Sequence, residues 1–476
     1  MFDGNQLNSI GFRFVMDNIE LLTPYGEELA RHPHFYGQDE KNALKDEQRN
    51  IAELMDEVGK NPDGINELMR LLMPIKDIRR SVESLNLRTL TEVELFEIKR
   101  FLLQLELIAP KMRGVGEKLN GIDIKAMPKA LDLTDPDGTR SPSFYVSDRL
   151  SEKLGRIRRE RREVDDRIKK DGATDELMAH RTQLAAQEED ENARVRADMC
   201  DSLKAYRDDM MSNIRSIGRL DFALGKARLA LKYNAVIPSV GGERFVIEDM
   251  TNPRFSSMLR EKGRSFVPVS LELSRGSVVV TGANMGGKSI AIKTLALNTM
   301  LAMCGFAVFA GNAEIPMLDD VFILSEDRED AMSGLSSFGG EMKAFDDMLR
   351  GTEGKRNVLV LLDEFARGTN PHEGAAIVRA AARLFNNRGS YAVIATHFDG
   401  VAKLAVRHYQ VAGLRNADAE VLRSRIGSGG ADMLAEFMDY GLYEVDPSEE
   451  PPRDAVTIIH ALGVCDEFTE LIDIET

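Results

Sequence analysis

A chain of 476 residues with 43% hydrophobic and 29% charged positions is long enough for about three domains at roughly 150 residues each. Its three cysteines, Cys200, Cys304 and Cys465, stand far apart without C-x-x-C spacing, which excludes a disulfide framework or a cysteine zinc site and leaves them as small buried hydrophobes. The formal net charge of −16 gives no bulk attraction to a nucleic-acid polyanion. No apolar run approaches the roughly 18 residues of a membrane span, and no basic and apolar leader surrounds Asp3, so the expectation is a cytoplasmic protein with no membrane partner.

From about residue 15 to 125 the apolar positions recur at three and four residues, the period of packed helices. Thr91-Glu92-Val93-Glu94 has the form of a capping box ahead of the stripe Leu95, Ile98, Leu102 and Leu105, so a helix starts there. Pro136, Gly138 and Pro142 then forbid a continuous helix and mark a boundary or a small hairpin. Leu150, Leu154, Ile157, Val164 and Ile168 follow, with Arg161 filling one missing heptad position, a coiled-coil-like pattern. The arginines at 156, 158, 159, 161 and 162 alternate with Glu160, Glu163, Asp165 and Asp166, which reads as a solvated helix face rather than a nucleic-acid patch. Lys170-Asp171-Gly172-Ala173 interrupts the pattern. Helix resumes through Leu177, Leu184, Val195, Met199, Tyr206, Met210, Ile214 and Ile217, so two long helices joined by a polar turn form an antiparallel arm. Residues 236–280 become strand-like, and from Val278 to about Gly413 β-runs alternate with helices. That alternation implies an α/β domain with a parallel sheet covered by helices on both faces.

Ser277-Val278-Val279-Val280-Thr281 is a β-branched run followed directly by Gly282-Ala283-Asn284-Met285-Gly286-Gly287-Lys288-Ser289 and a helical stretch from Ile290 to Met303. Strand, glycine-rich loop and helix in this order are the context of a P-loop, the Walker A element of an NTPase. Backbone N–H groups of Gly282, Asn284, Met285, Gly286 and Gly287 and the positive end of the helix cradle phosphates. Lys288 supplies a cation to the β and γ phosphates of ATP and Ser289 a hydroxyl to Mg²⁺. Chance matches to this pattern occur, but a second element accompanies it. Asn357–Leu362 is a buried-strand run ending in Asp363 and Glu364, the Walker B form in which Asp363 orders the Mg²⁺ shell and Glu364 polarises the attacking water. A third run, Tyr391 to Thr396, ends in His397. That residue is either a satisfied structural histidine or, beside the other two elements, a sensor of the γ phosphate.

At these residues the sequence resembles the MutS family, the ATPases best known from DNA mismatch repair. The run TGANMGGKS at Thr281–Ser289 is similar to that family's TGPNMGGKS, and LLDEFARGTNPHEG to its DE-x-x-RGT segment. Ala395-Thr396-His397 matches its ATH, and Ser333 to Met342, SGLSSFGGEM, resembles its SG-x-S-T-F-x-x-EM loop. Ala283 stands where the family usually has Pro and Ile290 where it has Thr. The resemblance implies a P-loop ATPase domain of the ABC/MutS type over 236–476 with C-terminal dimerisation helices, preceded by an all-α core over 1–147 and paired levers over 148–235. It further implies that Ser336 reaches the γ phosphate in a partner's site and that Phe266, in FVPVSLEL, stacks on adenine. Such a site implies a homodimer or a heterodimer with another MutS-like subunit. Core-like helices begin almost at once and only a short turn near Asp171–Asp175 separates the levers, so the expectation is a member without mismatch-reading and clamp domains. The C-terminal stretch departs from the family, with Pro452-Arg453-Asp454-Ala455 before a helix over Val456–Leu462. The expected absence of both DNA-contacting domains, with the negative net charge, favours a motor whose levers act on a protein client, as in MutS-like subunits associated with reactivating adenosylcobalamin-dependent aminomutases. The competing class is a DNA-binding ATPase of mismatch repair or recombination.

Overall fold

Helix caps and buried strand runs account for most of the architecture. The computed structural model describes residues 4–113, 118–141, 143, 145–282, 287–325, 337–414, 438–449, 459 and 465–475. The chain divides into two units, one formed by Glu20–Pro33 and Arg49–Ala227, the other by Met1–Ile19, His34–Gln48 and Arg228–Thr476. Among the described residues no helix is long and apolar enough to cross a membrane.

Among its described residues the first unit contains helices and connecting turns but no strand. Helix α1, Glu92–Lys111, begins as its sequence requires: Thr91 N–H donates to the Glu94 carboxylate at 2.9 Å, and Glu94 N–H donates to the Thr91 hydroxyl at 3.3 Å. The stripe Leu95, Ile98, Leu102 and Leu105 is buried. Arg88 grips Glu94 with two guanidinium nitrogens at 2.5 and 2.9 Å. Those bonds, with the cap, hold the Glu94 carboxyl down at about 2 from its ordinary 4.5. A carboxylate depressed in this way stabilises the fold above its unfolded pKa, and the contribution fades as pH falls through the folded one. Replacing Glu94 by Gln therefore lowers the unfolding midpoint of the protein near neutral pH. In denaturation curves taken at successive pH values, the gap to wild type shrinks between pH 4.5 and about 2; a gap independent of pH contradicts this account.

The proline-rich boundary after residue 130 contains no strand among its described residues. Gly138 turns the chain at φ 63°, and the buried Asp135 carboxylate accepts from Lys99 Nζ at 2.9 Å and from the Arg140 and Thr139 donors. Helices α2, Glu152–Asp171, and α3, Asp175–Leu203, follow. They run antiparallel, because Leu154 packs with Val195 while Val164 and Ile157 pack with Leu184, and Ile168 and Leu177 pack against that second cluster. Gly172 closes α2 at φ 90°, and the Thr174 hydroxyl caps α3. Not all the α2 arginines are on a solvated face. Arg158 turns inward and donates to Glu188, Asp148, Asn192 and the Val146 carbonyl, and Arg161 pairs with the same Glu188. An alternating charge pattern does not reveal which arginine faces the neighbouring helix.

The second unit holds two sheets. Strands β1 (Ser239–Val240), β2 (Phe245–Met250), β3 (Val269–Leu273) and β5 (Asn312–Ile315) form a four-stranded sheet in the order β1-β5-β2-β3. Strands β4 (Gly276–Thr281), β6 (Asp320–Leu324), β7 (Val358–Asp363), β8 (Tyr391–Ala395), β9 (Arg407–Gly413) and β10 (Asp439–Val445) form a six-stranded one in the order β10-β9-β4-β8-β7-β6. All of its neighbours are parallel except the edge pair β10 and β9. The alternation legible from Val278 onward is this α/β layer.

Strands β4, β7 and β8 are buried along their whole length, as parallel strands covered on both faces are. Val358, Val360, Leu362, Ala392 and Ile394 face a core built with helix α5 (Ser337–Gly351) and helix α6 (Pro371–Arg388). The alternate side chains point the other way. Helix α4, Gly287–Met303, is buried nearly all round and packs on β7 and β8. Cys200 and Cys304 are buried as expected, whereas Cys465 is exposed, since it precedes the surface helix Asp466–Glu475. The stretch Val456–Leu462 lies outside the described residues except for Ile459.

Candidate active site

Register brings three strand ends level. Ala395 of β8 pairs with Val280 of β4 on one side and with Asp363 of β7 on the other. The residues that follow, Gly282, Glu364 and His397, therefore emerge together at the carboxyl edge of the sheet, where open α/β folds bind ligands.

Gly282 leaves β4 at φ 134°, a conformation reserved for glycine. A Cβ there would stand 3.0 Å from Val411 Cβ, and one on Gly287 would stand 3.2 Å from Val411 Cγ1. Gly282 and Gly287 thus leave close room for Val411 of β9. Lys288, in the first turn of α4, is buried; its Nζ donates to the Gly282 carbonyl at 2.5 Å and lies 3.2 Å from Glu364 Oε1. The Ser289 hydroxyl donates to Asp363 Oδ1 at 2.9 Å. The other oxygen of Glu364, Oε2, lies 2.6 Å from His397 Nδ1. Lys288, Ser289, Asp363, Glu364 and His397 form one connected cluster.

Asp363 and Glu364 are 6% and 8% exposed, so their negative charge depends on Lys288, His397 and Ser289 for compensation. Glu364 also adopts φ 54°, a region L-residues rarely occupy and one that concentrates at functional sites. An oxygen-only pair, the Ser289 hydroxyl and Asp363 carboxylate at a helix N-terminus, suits Mg²⁺, which takes one or two protein ligands and fills its remaining positions with water and phosphate. Among the described residues no group of three or more His, Cys, Asp and Glu gathers as an all-protein metal cage, which is compatible with a Mg²⁺ of that kind.

Phe266 lies half-buried in the stretch leading to β3, in the other sheet. Asn284, Met285, Gly286 and Ser336 lie outside the described residues. Three contributors carry no signal at the level of motif chemistry. The Glu341 carboxylate accepts from Ala366 N–H at 3.0 Å. Gly374 faces the Ala366 carbonyl, which a Cβ would meet at 2.8 Å. His408 is fully buried, with Nε2 2.8 Å from the Thr281 hydroxyl and Nδ1 3.2 Å from the Asp446 carbonyl. Burial pushes its pKa below the ordinary imidazole value, so it serves the base of the loop as a neutral ring.

Comparison with known proteins covers the same segment. The family model described as MutS domain V matches residues 278–428. The chain is similar to the "DNA mismatch repair protein MutS" of Thermus aquaticus, with 32% identity over 251 residues, covering 52% of this chain and 29% of the relative. It is also similar to proteins called "Endonuclease MutS2". That of Acetivibrio thermocellus is 30% identical over 235 residues, 48% of this chain and 29% of the relative. That of Symbiobacterium thermophilum is 29% identical over 300 residues, 59% of this chain and 36% of the relative. The matches thus span about a third of the relatives' length. The segment that carries Lys288, Asp363, Glu364 and His397 is thus matched as a MutS domain V, and about half of the chain is similar to MutS-family proteins.

Proposed function

We propose that the chain is a Mg²⁺-dependent ATP hydrolase that works as a nucleotide-driven switch. The observation that carries the reading is the convergence of Lys288, Ser289, Asp363, Glu364 and His397 at one sheet edge. In this reading the loop N–H groups and Lys288 bind the phosphates, and Ser289 and Asp363 hold Mg²⁺, which when bound neutralises charge on the phosphate oxygens. Glu364 orients and polarises a water, and His397 both fixes Glu364 and senses the γ phosphate. Phe266 stacks on the adenine, and Ser336 of one protomer completes the site of the other in a dimer. Binding closes the dimer, hydrolysis reopens it, and the α2–α3 hairpin carries the change outward as a lever.

A phosphate-release assay tests the chemistry. Phosphate appears from ATP with Mg²⁺ and stops when the metal is chelated; a chain that releases none under these conditions lacks the proposed activity.

For the object moved, the net charge of −16 and the pairing of Arg158 and Arg161 with Glu188 favour a protein client. The names of the relatives, a DNA mismatch repair protein and endonucleases, favour DNA. Anisotropy titrations with duplex, mismatched and junction DNA separate the two. A binder contacting several phosphates loses on the order of 10³-fold or more in affinity between about 50 and 200 mM salt. Tight, salt-steep binding removes the protein-client reading.

A further inference from the structure

We propose that Glu341 is a positioning residue for the catalytic turn, holding Glu364 in the gap between Lys288 and His397. The inference rests on the reading of Glu364 as the group that polarises water.

The turn 364–366 is held in a conformation the chain would not adopt alone. Glu364 and Ala366 have φ of 54° and 62°, values that L side chains disfavour. Outside contacts impose it. Glu364 N–H donates to the Ala395 carbonyl at 3.1 Å, tying the turn to the end of β8. Ala366 is fully buried, and its N–H donates to Glu341 Oε1 at 3.0 Å. Buried N–H groups require an acceptor, and here a side chain from α5 supplies it. One helical turn further along α5, Phe345 packs on Phe365 with ring centroids 4.6 Å apart. Helix α5 therefore grips the turn twice, by a carboxylate and by a ring. Gly374 of α6 leaves room for the Phe398 ring and the Ala366 carbonyl, which a Cβ would approach to 2.6 and 2.8 Å.

Loss of the Glu341 acceptor frees residue 366 to return to negative φ, and that rotation swings the Glu364 carboxylate away from its partners. Phosphate binding by Lys288 and the loop does not depend on it. The expected signature is thus a change in kcat without a change in KM.

The experiment compares steady-state ATP hydrolysis by the full chain with Glu341→Ala, Glu341→Gln and Gly374→Ala. Displacing a catalytic group by about 1 Å costs on the order of 10²-fold, so Glu341→Ala lowers kcat by about that factor, while KM for ATP stays near wild type and the thermal midpoint falls only modestly, as expected for one lost buried acceptor. The amide oxygen of Glu341→Gln accepts the same N–H and restores kcat to nearly the wild-type value. Gly374→Ala, pressing on the Ala366 carbonyl, also lowers kcat. Wild-type kcat in Glu341→Ala overturns the role of Glu341, as does an equal loss in the Ala and Gln variants. A wild-type chain with no turnover instead removes the reading of Glu364 itself, so the two failures are distinct.

Discussion

Replacing Glu364 by Gln lowers ATP turnover by about 10³-fold, within the range measured for removal of a general base, and leaves ATP affinity near the wild-type value. The carboxylate stands at the end of a fully buried strand with one oxygen 3.2 Å from Lys288 Nζ and the other 2.6 Å from His397 Nδ1. A carboxamide of the same shape keeps the turn and one acceptor oxygen, but it lacks the charge needed to draw a proton from water. The groups assigned to phosphate and Mg²⁺, Gly282, Lys288, Ser289 and Asp363, are untouched. The pattern to look for is a drop in kcat and kcat/KM with binding intact, read from phosphate release alongside titration with a fluorescent ATP analogue. Turnover equal to wild type removes Glu364 from its role.

Lys288→Met acts on binding and on stability together. A hydrogen bond to a charged group contributes about 1.5–3 kcal/mol, so ATP affinity falls by roughly 10- to 150-fold. The same change strips a buried carboxylate of its cation: Lys288 and Glu364 are 3% and 8% exposed and 3.2 Å apart. Removing one partner of a buried pair costs about 3–5 kcal/mol, and the bond from His397 keeps the loss at the lower end. A double-mutant cycle separates the two effects. In a Glu364→Gln background, Lys288→Met still abolishes tight ATP binding but lowers the thermal midpoint far less. Equal destabilisation in both backgrounds would show that the pair contributes nothing to the fold.

The gathering of Lys288, Ser289, Asp363, Glu364 and His397 was legible because each residue was marked by its neighbours in sequence. A β-branched run before Gly282 and another before Asp363 announce buried parallel strands, and the capping box at Thr91 announces a helix start; each signal is local. Legibility ends where the determinant is distant. The antiparallel edge strand β10, the pairing of β1 with β5 across more than seventy residues, and the inward turn of Arg158 depend on partners far along the chain. Glu341 is legible only as a letter of a motif, because its bond to Ala366 joins two segments 25 positions apart. Gly374 likewise looks like any helix glycine until the Ala366 carbonyl and the Phe398 ring are placed beside it. The buried His408 reads as an ordinary strand residue until β10 brings the Asp446 carbonyl to its ring.

The turn between α2 and α3 is finished at both ends by its own residues. Gly172 N–H donates to the Ile168 carbonyl, the Thr174 hydroxyl accepts from Leu177 N–H, and residues 172–174 are exposed. Neither helix end borrows a partner from across the turn. Exposed, self-capped junctions of this kind tolerate interruption best, so the hairpin is a natural graft point, where a foreign module or a reporter can be spliced between the helices while their mutual packing from Leu154 to Ile168 stays unchanged.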